Sequence, residues 1–255
     1  MSLPLALGPA RPVPLSVINP VAQLTAIAIL TAVLLVSGDL VTPGVVLAAE
    51  LALLPAAGLT SPAEVLRRTW PLLASAAGVA WVNVAFGSLT GTDAWLSGLT
   101  WGLRVIALAL PGILLVAATD PVRLADALTV HWRVPTRFAY GALAALRLVP
   151  LLATEWETIR LARRARGVDA GGNPVAQLRL FAGTAFALLV GAVRRGTRLA
   201  TAMDARGFDS GIPRTNARGS SLHPRDTWFV VGTAAVCAAA VTLSVLTGAW
   251  NPVLG

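Results

Sequence analysis

Two ten-residue stretches carry most of the chemistry that can be read from this sequence. Ala162, Ala165, Arg166, Gly167, Val168, Asp169 and Gly171 recur in kind at Ala202, Ala205, Arg206, Gly207, Phe208, Asp209 and Gly211. Each stretch reads Ala-x-x-Ala-Arg-Gly-apolar-Asp-small-Gly. A glycine just past a helix adopts the left-handed conformation that ends it. An arginine one residue earlier sits at the negative end of the helix dipole and projects from a rigid tip. Its planar guanidinium is suited to bidentate contact with a carboxylate. Alanines one turn back keep the tip slim enough to enter a groove, and Met203 stands beside the second tip. Two such tips imply a partner with two similar grooves, such as a two-fold or pseudo-two-fold dimer. An ordinary helix cap with an arginine on lipid phosphate explains one copy, but two matching copies favour recognition. A third Ala-Arg-Gly, at Ala217, Arg218 and Gly219, follows Pro213 and Asn216 and lacks the trailing Asp. The tripeptide alone therefore means little.

Other chemistry is sparse. His131 and His223 lack ligand spacing, and Cys237 is the only cysteine, so no metal site and no intrachain disulfide is expected. All 20 basic residues are arginine. A phosphate-binding loop needs a lysine on the β- and γ-phosphates, so the chain holds no ATP or Mg of its own by that route. Glu50 lies within an apolar run, where a carboxylate is a functional candidate. The plainer reading has it facing a neighbouring helix. Arg104 is expected to extend to the outer membrane interface, and Asn83 to bond between helices.

The elements that position these residues follow from hydropathy. Of 255 residues, 56% are hydrophobic and 13% charged, with a mean hydropathy of +0.73. Soluble domains carry about 25% charged residues. The apolar stretches are continuous rather than alternating, which excludes a β-barrel and leaves an all-α polytopic membrane protein. Five segments approach the roughly 20 residues a span needs: 20–37, 41–59, 70–87, 98–118 and 226–248. The Pro-rich residues 1–20 form no regular helix.

Arginine placement sets the orientation. The connections 38–42 and 88–97 contain none, 60–69 contains Arg67 and Arg68, and 119–225 contains 16. The positive-inside rule puts the N-terminus, 60–69 and 119–225 in the cytoplasm of a cell membrane, and five spans put the C-terminus outside. The net charge of +8 is thus topological, and no nucleic-acid groove is indicated. The domain reading is 1–118, tail and four spans; 119–225, cytoplasmic region; and 226–255, last span.

Within 119–225, Asp120-Pro121 opens a short helix to about 130, and Pro135 precedes one over 136–166, with a kink expected at Pro150. A third runs over 174–206. Its 14 apolar residues Leu180–Val193 are short for a span and suit a helix at the membrane surface. The alternative, a sixth span, would move the second motif across the bilayer, and Arg179 and Arg194-Arg195 on its two flanks argue against it.

The paired Ala-Arg-Gly helix ends resemble the transmembrane T component of energy-coupling factor transporters, the EcfT/CbiQ family. Further points of likeness are Thr119-Asp120-Pro121, Leu146-Arg147-Leu148-Val149-Pro150, Arg194-Arg195 and Ile18-Asn19-Pro20. The likeness covers essentially 15–250 and is most specific over 119–211. It implies a non-catalytic, multi-pass subunit of a prokaryotic plasma membrane, with coupling helices in its cytoplasmic region. It further implies two ABC-type ATPases (A and A′), which bind ATP and Mg, and a small substrate-binding membrane S component. Carried over, Arg166 contacts one ATPase and Arg206 the other, each flanked by its Ala and Gly. Cargo in such systems is a vitamin, the more numerous case, or cobalt or nickel. The alternatives are the permease of a conventional ABC importer, which presents one coupling helix rather than two tips, and an intramembrane enzyme. Beyond Glu50 and Asn83 the spans offer an enzyme little.

Overall fold

The computed structural model describes residues 13–87, 89–168, 171–208 and 219–252. Among them are eight α-helices and no strand: α1 Pro20–Val36, α2 Val41–Leu53, α3 Pro62–Phe86, α4 Thr92–Ala118, α5 Pro121–His131, α6 Thr136–Ala165, α7 Pro174–Ala205 and α8 Pro224–Leu246. The chain is an all-α membrane protein.

Helix starts follow from local chemistry. Proline is tolerated at the first helical position, where its missing N–H has no intrahelical partner to lose. Five of these helices begin with it: α1, α3, α5, α7 and α8. Side chains satisfy the exposed amides beside it. Asn19 accepts from the Val21 N–H at 3.0 Å, Asp120 from Val122 at 2.9 Å, and Asn173 from Val175 at 2.9 Å. At α8, Asp226 accepts from the backbone N–H of His223 at 2.8 Å, half of a capping box.

Among the described residues two compact units result, one within 132–208 and the other within 13–131 and 219–252. In the second, α3 lies along α4, α1 and α2 also pack on α4, and α8 packs on α1 and α2. Gly98 and Gly102 form the α3–α4 contact. A Cβ on Gly98 would sit 2.8 Å from the Ala80 carbonyl oxygen, and one on Gly102 would sit 3.3 Å from that of Ala76. Small residues four apart let two helices approach this closely. Leu34, Val46, Ala107 and Ala240 join α1, α2, α4 and α8 in one core. Polar residues close both ends of this group. At one, the Asn19 backbone N–H donates to Asp226 at 2.7 Å. At the other, Asp39 accepts from the Ser244 hydroxyl at 2.7 Å and from the Thr42 backbone at 2.7 Å. α5 belongs to this unit and touches α1.

The other unit is the pair α6 and α7. Trp156 meets Phe181 edge to face, with ring centroids 5.2 Å apart, and Glu155 pairs with Arg195. Tyr140, near the start of α6, meets Phe208, just past the end of α7, with centroids 6.4 Å apart. The pair is therefore antiparallel.

Several expectations need correction. α2 stops at Leu53 because a 3-10 turn, Pro55–Ala57, and the left-handed Gly58 (φ +80) follow it. At 13 residues it rises about 20 Å, less than the hydrocarbon thickness. α3 and α4 begin earlier than their apolar windows, so Arg67 and Arg68 lie on a helix. Arg104 is buried among protein groups rather than extended: it donates to the Leu35 carbonyl, in the last turn of α1, at 2.8 Å and lies over Trp101. Asn83 bonds within its own helix, to the Val79 carbonyl at 3.1 Å, so it does not join two helices. By length and composition α3, α4, α6, α7 and α8 could each cross a membrane, while α1 and α2 are shorter apolar helices. α7 qualifies although any 18-residue stretch that contains its 14-residue apolar run takes in Arg179 or Arg194.

Candidate functional site

The site is built on the C-terminal ends of α6 and α7, and the two ends are congruent. α6 ends at Ala165 and α7 at Ala205. Arg166 follows at φ −92, ψ 9 and Arg206 at φ −90, ψ 10. Gly167 and Gly207 then adopt φ +70 and +71. Gly167 N–H donates to the Arg164 carbonyl at 2.9 Å, and Val168 N–H reaches back to Arg163 at 3.0 Å. The second end repeats this with Gly207 to Asp204 at 2.9 Å and Phe208 to Met203 at 3.1 Å. Both form the complete two-bond Schellman cap. A Cβ on Gly167 would meet nothing within 4 Å, so that glycine is required by its left-handed backbone and not by space.

Ala162, Ala165, Arg166 and Gly167 are exposed at the first end, as are Ala202, Ala205, Arg206 and Gly207 at the second. Met203 is half-buried. Asp169 and Asp209, the trailing acids of the repeat, lie outside the described residues. Each tip thus presents a guanidinium on a narrow, alanine-flanked helix end open to a partner.

One residue that sequence reasoning passed over fixes the first tip. Arg163 Nη1 donates to the Leu180 carbonyl at 2.8 Å and to the Thr184 hydroxyl at 2.7 Å. Thr184 is buried, and its own hydroxyl donates to Leu180 at 2.7 Å. The end of α6 is thereby held to the first turns of α7. The readable signal was Thr184, a hydroxyl inside the apolar run Leu180–Val193, together with the doubled arginine 163–164. A polar cavity of about 260 Å³, lined by Trp156, Arg160, Arg163, Arg164, Gln177 and Phe181 among others, adjoins this tip.

The second tip lies roughly 33 Å further along, at 1.5 Å of helix rise per residue from Thr184 to Arg206. The tips also differ in charge. Arg164 stands exposed beside Arg166, whereas the exposed Asp204 precedes Arg206.

The fold and these paired ends define a polytopic helical membrane protein with two exposed arginine-capped helix tips. The chain belongs to the CbiQ family, described as cobalt transport protein, whose model matches residues 13–216. It is similar to proteins named energy-coupling factor transporter transmembrane protein EcfT. That of Exiguobacterium sibiricum is 36% identical over 137 residues, 51% of this chain and 52% of that protein. Those of Lacticaseibacillus paracasei and Staphylococcus aureus are 37% and 30% identical over 138 and 144 residues. These matches cover 51% and 53% of this chain, and 52% and 54% of the relatives. The chain spans about half the length of the curated relatives it matches.

Proposed function

We propose that this chain is the T component of an energy-coupling factor importer, a non-catalytic scaffold that two ABC-type ATPases drive through the helix tips at Arg166 and Arg206. The observation that carries the reading is the congruence of the two tips: the same Schellman cap, the same exposed arginine, the same flanking alanines. A single chain with two equivalent docking elements suits a pair of ATPases. The permease of a conventional ABC importer would present one per chain.

In this mechanism the tips seat in grooves of the two ATPases through charge-assisted contacts. ATP and Mg are bound by the ATPases, whose closure on ATP draws the grooves together. α6 and α7 follow as levers and reshape the platform on which a small S component sits. Substrate binding and release by the S component then alternate. The 16 arginines of 119–225 support placing α6 and α7 on the cytoplasmic side, despite their apolar length.

The cargo belongs to the S component. A vitamin is the first reading; cobalt or nickel is the second, favoured by the description of the matching family. Co-expression with candidate ATPases and small membrane proteins tests both levels. An Arg166→Glu, Arg206→Glu double variant is expected to insert into the membrane but to lose ATPase co-purification and uptake. Normal uptake with an intact complex would overturn the coupling reading. Uptake of labelled vitamin against labelled cobalt distinguishes the cargo readings.

A further inference from the structure

Glu50 has no role in the coupling scheme, yet its surroundings are specific. It lies one turn before the end of α2 and is 3% exposed. Neither carboxyl oxygen has a hydrogen-bond partner among the described residues. Two nearby donors are committed elsewhere. The Thr233 hydroxyl donates to the Phe229 carbonyl at 3.0 Å, and the Gln23 amide donates to Leu15 and Ile18 at 3.0 and 3.2 Å. Buried polar groups are almost always satisfied, and an orphaned carboxyl is costly in either protonation state.

The carboxyl lines a cavity of about 410 Å³ between α2 and α8, floored by α1. Leu30, Val46, Leu53, Phe229 and Cys237 make its wall apolar. Its lining reaches the surface at Gly232, where a Cβ would meet nothing within 4 Å, and at Trp228, which is 73% exposed. The volume falls within the roughly 300–1,000 Å³ of small-molecule sites, and an apolar wall with one placed polar group is their usual make-up. Such a wall selects a hydrocarbon body. A carboxylate in low dielectric favours a cationic donor over a neutral one and rejects an anion.

We propose that the α2–α8 cavity is a binding site for an amphiphile carrying one protonated amine, with the Glu50 carboxylate as its counter-ion. The amine nitrogen donates to the two Glu50 oxygens, and the hydrocarbon lies along Val46, Leu30 and Phe229. A membrane lipid with an ammonium headgroup and a free lipophilic amine share this chemistry.

Native mass spectrometry of the full chain in mild detergent tests the site with dodecylamine, dodecanol and dodecanoate as probes. A one-to-one dodecylamine adduct is expected, with dodecanol about tenfold weaker and dodecanoate weaker still. Glu50→Gln should weaken dodecylamine about tenfold and leave dodecanol unchanged, a loss typical of one charge-assisted bond. Gly232→Leu, which fills the mouth without touching the carboxyl, should abolish both adducts; it serves alone if the Glu50 variant does not elute as a folded species. In a second arm, retention of phosphatidylethanolamine over phosphatidylglycerol, sensitive to the same substitutions, assigns the site to the lipid. Dodecylamine binding without that retention assigns it to a free amine. Absence of a dodecylamine adduct, equal binding of dodecanol, or insensitivity to both substitutions overturns the proposal. These outcomes are independent of whether Arg166 and Arg206 engage ATPases.

Discussion

The backbone N–H of Asn19 donates to the Asp226 carboxylate at 2.7 Å, joining the first turns of α1 and α8 across 207 residues of sequence. The second Asp226 oxygen accepts from the His223 N–H at 2.8 Å. The Asn19 amide donates in turn to the Ser220 hydroxyl at 2.9 Å and the Ser221 carbonyl at 3.2 Å. One buried carboxylate thus caps its own helix and pins another. Asp226→Asn replaces one acceptor with a donor that faces an N–H. We expect a loss of about 1–3 kcal/mol, the cost of leaving a buried donor unsatisfied. Thermal unfolding in detergent, followed by size-exclusion fluorescence, should show a lowered midpoint. Asp226→Glu should not restore it, because the longer side chain cannot meet both amides in the same geometry.

The glycine caps make a graded prediction. Gly167 and Gly207 are left-handed, at φ +70 and +71. Asparagine tolerates that region better than alanine, and a β-branched residue is worst. Substitution at either position should impair tip function in the order Gly, Asn, Ala, Val, with a local cost of about 1–2 kcal/mol for Ala. ATPase co-purification should fall in that order while the melting midpoint of the isolated chain changes little. An equal effect of Asn and Val would show that the cap conformation is not what matters.

Arg163 should behave as a positioning residue. Its guanidinium spans the Leu180 carbonyl and the Thr184 hydroxyl, so Thr184→Val removes one of two partners without changing volume much. Hydrogen exchange over 160–184 should accelerate in Thr184→Val and more in Arg163→Ala. Arg163→Lys should rescue only in part, since an ammonium cannot hold both acceptors in the same planar geometry. If exchange is unchanged in Arg163→Ala, the clamp does not order the tip.

Much of this architecture is legible in the sequence because its helix ends carry local signals. Asp120-Pro121, Pro135 and Asn173-Pro174 mark three starts, and the two Arg-Gly pairs mark two ends. The expected helices 121–130, 136–166 and 174–206 each lie within a residue of those observed. The hydropathic windows serve less well, for a physical reason. They detect where a helix is apolar and not where it begins, so α3 starts at Pro62, through Glu64, Arg67 and Arg68. Pairwise side-chain geometry is harder still. Nothing in the sequence near Arg104 or Asn83 distinguishes a buried guanidinium on the Leu35 carbonyl, or an amide bonded four residues back, from the alternatives. Gly98 and Gly102 were readable as a close-packing pair within an apolar run. At the candidate site, the cap and arginine of each tip follow from sequence, whereas the Arg163–Thr184 clamp needed α7 laid against α6.

The unequal charge of the two tips yields the last prediction. Arg163 is occupied by α7, which leaves Arg164 and Arg166 exposed at the first tip. At the second, Asp204 partly offsets Arg206. Salt screens exposed charges, so the more cationic tip should lose more of its attraction as ionic strength rises. Under the proposed coupling, assembly depends on the first tip in a chain carrying Arg206→Ala and on the second in one carrying Arg166→Ala. Retention of ATPases measured from roughly 50 to 500 mM NaCl, across which the Debye length shrinks from about 14 to about 4 Å, should therefore fall more steeply for Arg206→Ala. Adding Asp204→Asn to Arg166→Ala should strengthen assembly at low salt and steepen its decline. Parallel salt curves for the two single variants would mean that the tips are read by shape and the guanidinium alone, with no contribution from the residues that precede it.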